Sequence, residues 1–384
     1  HWLKFQKLKK RENMHKKFLF KVHLILGLTA GFVLMIIGLT GSILSFEKEI
    51  IQFINKDSYF VKNVNEPRLS IEDILNDFNK KIPDAKINAL TFSKDENSSL
   101  VINIASKDKK ARKGINYYIN PYTAEILPDI KGEGFFKFIE NIHRRLAFGD
   151  VGKQIVGASV LSLLLLMISG VYIYWPRIKH AFFKSITFKF KSKGRAFLST
   201  MHSAIGIWVI PFYLISCLTG LYWSYDWYSN SLHSLTGVEK QKKMPPKFDE
   251  NAVLSYTDVQ KALDLFNENV KDYEKINIRF TAKNETYTFS YLPTNPTHDM
   301  AMNKIELDIN TNEVISHEKF EDKSMAEKLM KSILALHTGE YFGLFGKIMM
   351  FTTSLLMSLF TITGLMMYIG RKKKKLKEAD KAVV

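Results

Sequence analysis

Four stretches of the chain are nearly free of charge and strongly apolar, and the stretches between them are polar and rich in lysine. The apolar windows cover residues 22–46, 155–175, 197–225 and 348–369. A helix of about 20 apolar residues spans the roughly 30 Å hydrocarbon core of a bilayer. The pattern therefore predicts a membrane α-helical protein with four transmembrane helices. The first window is longer than the apolar part of a signal peptide, and no small-x-small cleavage site follows it, so it is expected to stay as a helix.

The polar stretches carry shorter periodicities. Between the first two windows, residues 69–81 place Ile71, Ile74, Leu75 and Phe78 on one helical face. Strand-like runs follow at 89–92, 100–105 and 115–120, the last before the turn Pro121-Tyr122-Thr123-Ala124. Between the last two windows a helix is expected over 257–269 and strands over 276–281, 287–292 and 304–309, ending at Asn310-Thr311-Asn312. Met244-Pro245-Pro246 reads as a linker. Each stretch predicts a small α+β unit with one helix against an antiparallel sheet.

The helices repeat. His23, Gly27 and Leu39-Thr40-Gly41 match His202, Gly206 and Leu218-Thr219-Gly220 without a gap. His143, Gly149, Gly152, Lys153, Gly170, Tyr174 and Arg177 match His337, Gly343, Gly346, Lys347, Gly364, Tyr368 and Arg371 at a constant offset. Such matching points to duplication of a two-span unit. An even number of spans per unit predicts two parallel repeats related by an axis along the membrane normal.

Charge orients this plan. The chain carries a net charge of +17, which in a soluble protein would invite a nucleic-acid reading. Here residues 1–21, 177–198 and 371–384 hold 8, 7 and 7 Lys and Arg against only Glu12, Glu378 and Asp380. The basic excess thus falls on the three segments that share one side of a four-span topology, the positive-inside pattern. Both termini and the central loop are expected in the cytoplasm, with no nucleic-acid partner. The expected organisation is a basic N-terminus (1–21), span 1 (22–46), an external domain (47–134), and an interfacial helix with span 2 (135–176). A cytoplasmic loop (177–196), span 3 (197–225), a second external domain (226–325), an interfacial helix with span 4 (326–370) and a basic tail (371–384) complete it. The single cysteine, Cys217, lies inside span 3 and reads as a packing residue, so no disulfide within the chain is possible.

Four of the ten histidines occupy matched positions. His23 and His202 open spans 1 and 3, and His143 and His337 precede spans 2 and 4. Under a parallel two-fold each pair meets across the axis, an arrangement of two facing imidazoles that holds a haem iron. Ionisable groups at membrane depth are costly unless they function. Gly27, Gly41, Gly206 and Gly220 would clear space for a flat macrocycle or a neighbouring helix. The spacing of the histidines fits no compact zinc motif. In a straight helix His143 would stand about 18 Å beyond the apolar start at Ile155. A bend at Gly149 and Gly152 is needed to lay residues 135–146 across the membrane face and turn His143 into the bundle. Arg144, Arg145, Lys153 and Lys347 are the candidate partners of haem propionates. His15, His180 and His317 read as solvated, His233 as part of an interfacial aromatic belt, and His298 as a loop residue that could meet a substrate.

These motifs resemble the PepSY-associated transmembrane family of bacteria. The resemblance rests on His23 with Leu39-Thr40-Gly41, Ile142-His143-Arg144, Ser169-Gly170, Tyr174-Trp175-Pro176-Arg177, His202 with Leu218-Thr219-Gly220, and Leu336-His337. It covers nearly the whole chain. Trp-Pro-Arg after span 2 is replaced by Ile369-Gly370-Arg371 after span 4, a departure from the internal match. The resemblance implies PepSY-like periplasmic domains, two b-type haems and reduction of ferric siderophores at the inner membrane. The expected protein is a di-haem oxidoreductase carrying electrons from quinol or a partner reductase to a periplasmic ferric chelate. The alternatives are a non-redox permease for an iron chelate or small solute, and a structural or regulatory membrane module.

Overall fold

The computed structural model describes residues 2–62, 66–106, 114–187, 190–240, 254–280 and 286–383. In the first half of the chain these form α1 (Trp2–Leu44), the short α2 (Glu47–Ile54) and α3 (Lys56–Tyr59), and α4 (Ile71–Lys81). Strands β1 (Ile87–Ser93), β2 (Leu100–Ile104) and β3 (Ile115–Ile119) follow, then α5 (Glu133–Arg145), α6 (Gly149–His180) and the short α7 (Phe182–Ser185). The second half runs through α8 (Gly194–Ser224), α9 (Asp226–Thr236), α10 (Tyr256–Asn269), β4 (Lys275–Arg279), β5 (Thr286–Leu292), β6 (Asn303–Asp308) and β7 (Glu313–Glu318). It closes with α11 (Met325–Lys331), α12 (Ile333–Thr338), one 3-10 turn and α13 (Gly343–Val383). The candidate linker at 244–246 lies outside the described residues.

The chain divides into two compact units. The first comprises residues 1–47, 134–235 and 333–384. Its four long helices α1, α6, α8 and α13 are long and apolar enough to cross a membrane. α1 packs on α6 and α13, and α8 packs on the same two, closing a four-helix bundle. Its polarity is that of a protein in lipid. Ile25, Phe32, Leu165, Ile168, Leu214 and Ile362 are exposed, whereas Thr40, Ser159, Ser169, Thr219, Thr353 and Thr363 are buried. Lipid tails are as apolar as leucine, so helices in a bilayer associate through close packing and interhelical hydrogen bonds instead. Both occur here. At Gly38 a methyl group would come within 2.6 Å of Met357 Cβ, so α1 and α13 touch through the missing side chain. Tyr213 donates to the carbonyl oxygen of Thr353, and Thr361 to that of Gly31, each at 2.8 Å.

The bend expected before α6 is present. Leu146, Ala147 and Gly149 all take left-handed backbone conformations, at φ 49°, 60° and 57°. Three such departures within four residues break the helix and fold α5 back. A side chain at Gly152 would strike the carbonyl oxygen of Arg145, so the second expected glycine permits the close return. The same device precedes α13, where Gly339 and Gly343 are left-handed and a side chain at Gly346 would strike the carbonyl of Gly339. α5 is strongly amphipathic, burying Phe136 and Ile139 and exposing Phe135 and Phe138.

The second unit comprises residues 48–133 and 236–332. The sequence pattern suggests two separate α+β units here, and the structure instead joins them into one. Seven strands form a single sheet in the order β3-β2-β1-β4-β5-β6-β7, antiparallel throughout. β1 pairs with β4, setting Leu90 opposite Ile278 and Thr91 opposite Asn277. Asn277 donates to the Thr91 hydroxyl at 2.7 Å across this seam. The reason is physical: a three-stranded sheet covered by one helix leaves unpaired edges and a thin core, and pairing edge to edge removes both. The core is continuous across the seam, with Phe78, Leu90, Ile102, Phe266, Ile278 and Phe289 essentially inaccessible. α4 begins at the Ser70 cap and α10 at the Ser255 cap, where each hydroxyl accepts the backbone N–H three residues on. The two helices pack together, with the Ile71 N–H donating to Gln260 at 2.8 Å. β7 has no counterpart in the expected strands.

Candidate cofactor site

The bundle brings the four matched histidines into two pairs. His23 of α1 and His202 of α8 face each other with ring centroids 6.5 Å apart. His143 of α5 and His337 of α12 do so at 6.3 Å. The planes of the two rings are inclined at 69° and 68°. The pairs lie toward opposite ends of the bundle, because His143 reaches Thr40 on α1, seventeen residues beyond His23. That separation is about 25 Å at 1.5 Å per residue.

Each imidazole is anchored through Nδ1 by a hydroxyl on a neighbouring helix. Ser169 Oγ lies 2.9 Å from His23, and Thr363 Oγ1 lies 2.8 Å from His202. Thr40 Oγ1 lies 3.1 Å from His143, and Thr219 Oγ1 lies 2.8 Å from His337. These contacts set the tautomer. All four hydroxyls give their single proton to a helix carbonyl one turn back, at 2.6–2.7 Å. Their lone pairs must then accept from Nδ1–H. The carbonyl oxygen of Ile37, 3.0 Å from His143 Nδ1, can only accept and leads to the same assignment. Nε2 is left with its lone pair on every ring, which is how a hydrogen bond at the other nitrogen prepares a histidine to ligate a metal. Among the described residues no hydrogen bond reaches any of these Nε2 atoms.

The donor set fits an axial pair. Metal–imidazole bonds are about 2 Å, and a ring centroid lies about 1 Å behind its nitrogen, so two rings on opposite sides of one metal stand about 6 Å apart. Among the described residues no three His, Cys, Asp or Glu side chains converge. Two nitrogens alone suit a metal whose other positions a macrocycle fills, as in haem. Space for a macrocycle exists at the first pair, where a cavity of about 330 Å³ is lined by His23, Gly27, Leu166, His202, Gly206 and Phe360. Gly27, Gly170 and Gly206 line the cavity, and Gly41, Gly170 and Gly220 lie beside imidazoles, where a methyl group would come within 3.0–3.4 Å of His143, His23 and His337.

The basic candidates are placed differently. Arg144 pairs with Glu140 at 2.7 Å and Arg145 with Asp150 at 3.5 Å, all on the exposed surface. Lys347 lies over the Phe46 ring at 5.4 Å, and Lys153 is part-buried in the first turn of α6. Arg195 and Arg371, which sequence reasoning passed over, line the mouth of the cavity. The anchoring hydroxyls were also passed over, although Thr40 and Thr219 stand in the repeated Leu-Thr-Gly and Ser169 and Thr363 precede matched glycines.

The remaining histidines serve elsewhere. His298 is buried, accepts the Met300 N–H at Nδ1 (3.1 Å) and donates from Nε2 to Ser332 (2.8 Å), so it pins a loop and offers nothing to a substrate. His233 bonds Tyr222 at 3.1 Å, and His317 is exposed yet bonds Tyr291 at 2.7 Å. His15 and His180 are exposed.

Residues 20–371 match the model of one protein family, described as the PepSY-associated TM region. The chain belongs to that family. The match opens three residues before His23, closes at Arg371 and so takes in every residue of both pairs. No curated protein matched the chain. Membership in the PepSY-associated TM family agrees with the four spans and places the protein in a lipid bilayer.

Proposed function

We propose that this protein is a di-haem b oxidoreductase of the bacterial inner membrane, passing electrons across the bilayer to reduce ferric iron, held by a siderophore, on the periplasmic side. One observation carries the reading: two imidazole pairs at 6.5 and 6.3 Å, each ring fixed at Nδ1 by a hydroxyl that leaves the lone pair on Nε2. Each haem supplies reversible one-electron iron chemistry when bound.

His23 and His202 would hold one haem, at the end of the bundle that bears the termini, and His143 and His337 would hold the other. Ser169, Thr363, Thr40 and Thr219 keep the four rings in the ligating tautomer. The apolar walls around the first pair exclude water and favour electron over proton movement. Groups held by the two pairs, about 25 Å apart along the helices, would supply a one-electron relay from one face to the other. The positive-inside distribution sets the termini in the cytoplasm, and α1–α6 and α8–α13 act as two parallel repeats about one axis. Reduction converts Fe(III), which prefers hard oxygen ligands, into Fe(II), which a siderophore holds less well. Quinol or a partner reductase supplies the electrons.

Visible spectra of the detergent-purified protein, oxidised and then reduced with dithionite, test this directly. Wild type should show bis-imidazole b-type bands, and His202→Ala should lose about half of the haem, one centre of the two. Absence of haem from wild type, or full haem content in both His23→Ala and His202→Ala, would sink the reductase reading and leave a permease or a structural module.

A further inference from the structure

The cavity at the His23–His202 pair has a polarity that the paired imidazoles do not require. Its inner end is closed by Leu34, Val209 and Met357, and its mouth carries Arg195 and Arg371. The two guanidinium groups come from different helices, α8 and α13. Arg195 is seven residues before His202, two helical turns or about 10 Å along the same face. Arg371 is eight residues past Thr363, the hydroxyl that anchors His202, again about two turns. Among the described residues neither arginine forms an ion pair, whereas Arg144 and Arg145 both do. Arg371 lies 4.9 Å over the Phe20 ring, which steadies the guanidinium while leaving its N–H edge for an anion.

We infer that Arg195 and Arg371 form a clamp for the carboxylate tails of the macrocycle held by His23 and His202, fixing it with its carboxylates toward the termini end and its apolar edge toward Met357. The inference rests on the haem reading and adds which way the group lies and what selects it. Guanidinium groups bind carboxylates through paired charge-assisted hydrogen bonds. At the mouth of an apolar cavity such bonds orient a ligand that two imidazoles alone leave free to rotate. A phospholipid headgroup would offer an anion of similar chemistry, and the test separates the two.

Full-length protein from haem-starved cells is titrated with haem b and, separately, with haem dimethyl ester, which lacks both carboxylates. For wild type, affinity at the His23–His202 centre, isolated in a His337→Ala background, should be about tenfold or more higher for haem b. The Arg195→Gln/Arg371→Gln pair should bring that preference close to one while the bis-imidazole spectrum persists. Equal affinity of wild type for both compounds would overturn the clamp and leave the haem reading intact. An unchanged preference in the double variant, with loss of co-purified anionic lipid by native mass spectrometry, would assign the arginines to the bilayer. Failure of wild type to take up either compound would remove the haem reading and the clamp with it.

Discussion

Thr219 Oγ1 stands 2.8 Å from His337 Nδ1 and gives its own proton to the carbonyl oxygen of Ile215, 2.6 Å away. The hydroxyl therefore acts on the histidine only as an acceptor, and it decides that Nδ1 carries the proton and Nε2 the lone pair. Thr219→Val keeps the shape and removes the acceptor. Loss of such an outer bond weakens metal affinity by about 10- to 100-fold. Haem bound at the second centre should fall accordingly in Thr219→Val and recover in Thr219→Ser, measured as pyridine haemochrome per protein. Equal haem content in all three proteins would show that the hydroxyl does not prepare the ring.

The contact of α1 with α13 at Gly38 has a direct stability test. A methyl group there meets both the Ser354 carbonyl oxygen and Met357 Cβ, neither of which is a flexible chain end. Gly38→Ala should destabilise the bundle by about 1–3 kcal/mol, the usual range for overpacking. Gly364→Ala, which meets nothing within 4 Å, should leave the thermal midpoint in detergent unchanged or slightly raised. Similar midpoints for the two variants would mean that the helices do not meet at Gly38.

Orientation can be read by thiol labelling, since the only native cysteine, Cys217, is buried in α8. Asp129, Thr311 and Lys193 are exposed positions on three different connections. With an impermeant maleimide on intact spheroplasts, single cysteines at Asp129 and Thr311 should react and one at Lys193 should not. Reaction at Lys193 alone would reverse the topology.

His298 gives a pH dependence whose sign follows from its burial. Desolvation holds its pKa below the ordinary 6.5, opposed by Asp299 next to it. The folded chain thus resists a proton that the unfolded chain accepts. The stabilisation is complete above the ordinary value and is lost as pH falls from there through the lowered folded value. Thermal unfolding should shift downward between pH 7.5 and pH 5, and His298→Asn should reduce that shift. His317, whose pKa is lowered by partial desolvation and by Lys319, contributes in the same direction. A shift of unchanged size in His298→Asn would assign the effect elsewhere.

The spans and the histidine pairing are legible in the sequence because each writes a long or repeated signal. An apolar window of 20 residues has few alternative readings. A gap-free match of His23 to His202 and His143 to His337 predicts which rings can meet before any coordinate is known. Even the bend before α6 can be expected, since His143 cannot otherwise reach the bundle. What is not legible is pairing between distant edges. Nothing local to residues 87–93 says that they will bond residues 275–279, because a half-buried strand reads the same beside any partner. The partners of Arg144 and Arg145 are overlooked for a different reason. Glu140 is one helical turn away and Asp150 follows the bend, and both are visible once the arginines are read as surface residues. The anchoring hydroxyls hide because serine and threonine inside a span usually bond their own helix, as these four also do.

The β1–β4 seam makes the two halves of the chain mutually dependent. Residues 1–187 and 190–384 each contribute two spans and three or four strands, and each alone would present an open strand edge and half of every histidine pair. Severing the connection near residues 188–189 would remove one covalent link and none of these contacts. The halves would behave as subunits of a heterodimer, held together by the strand seam and by the packing of their spans.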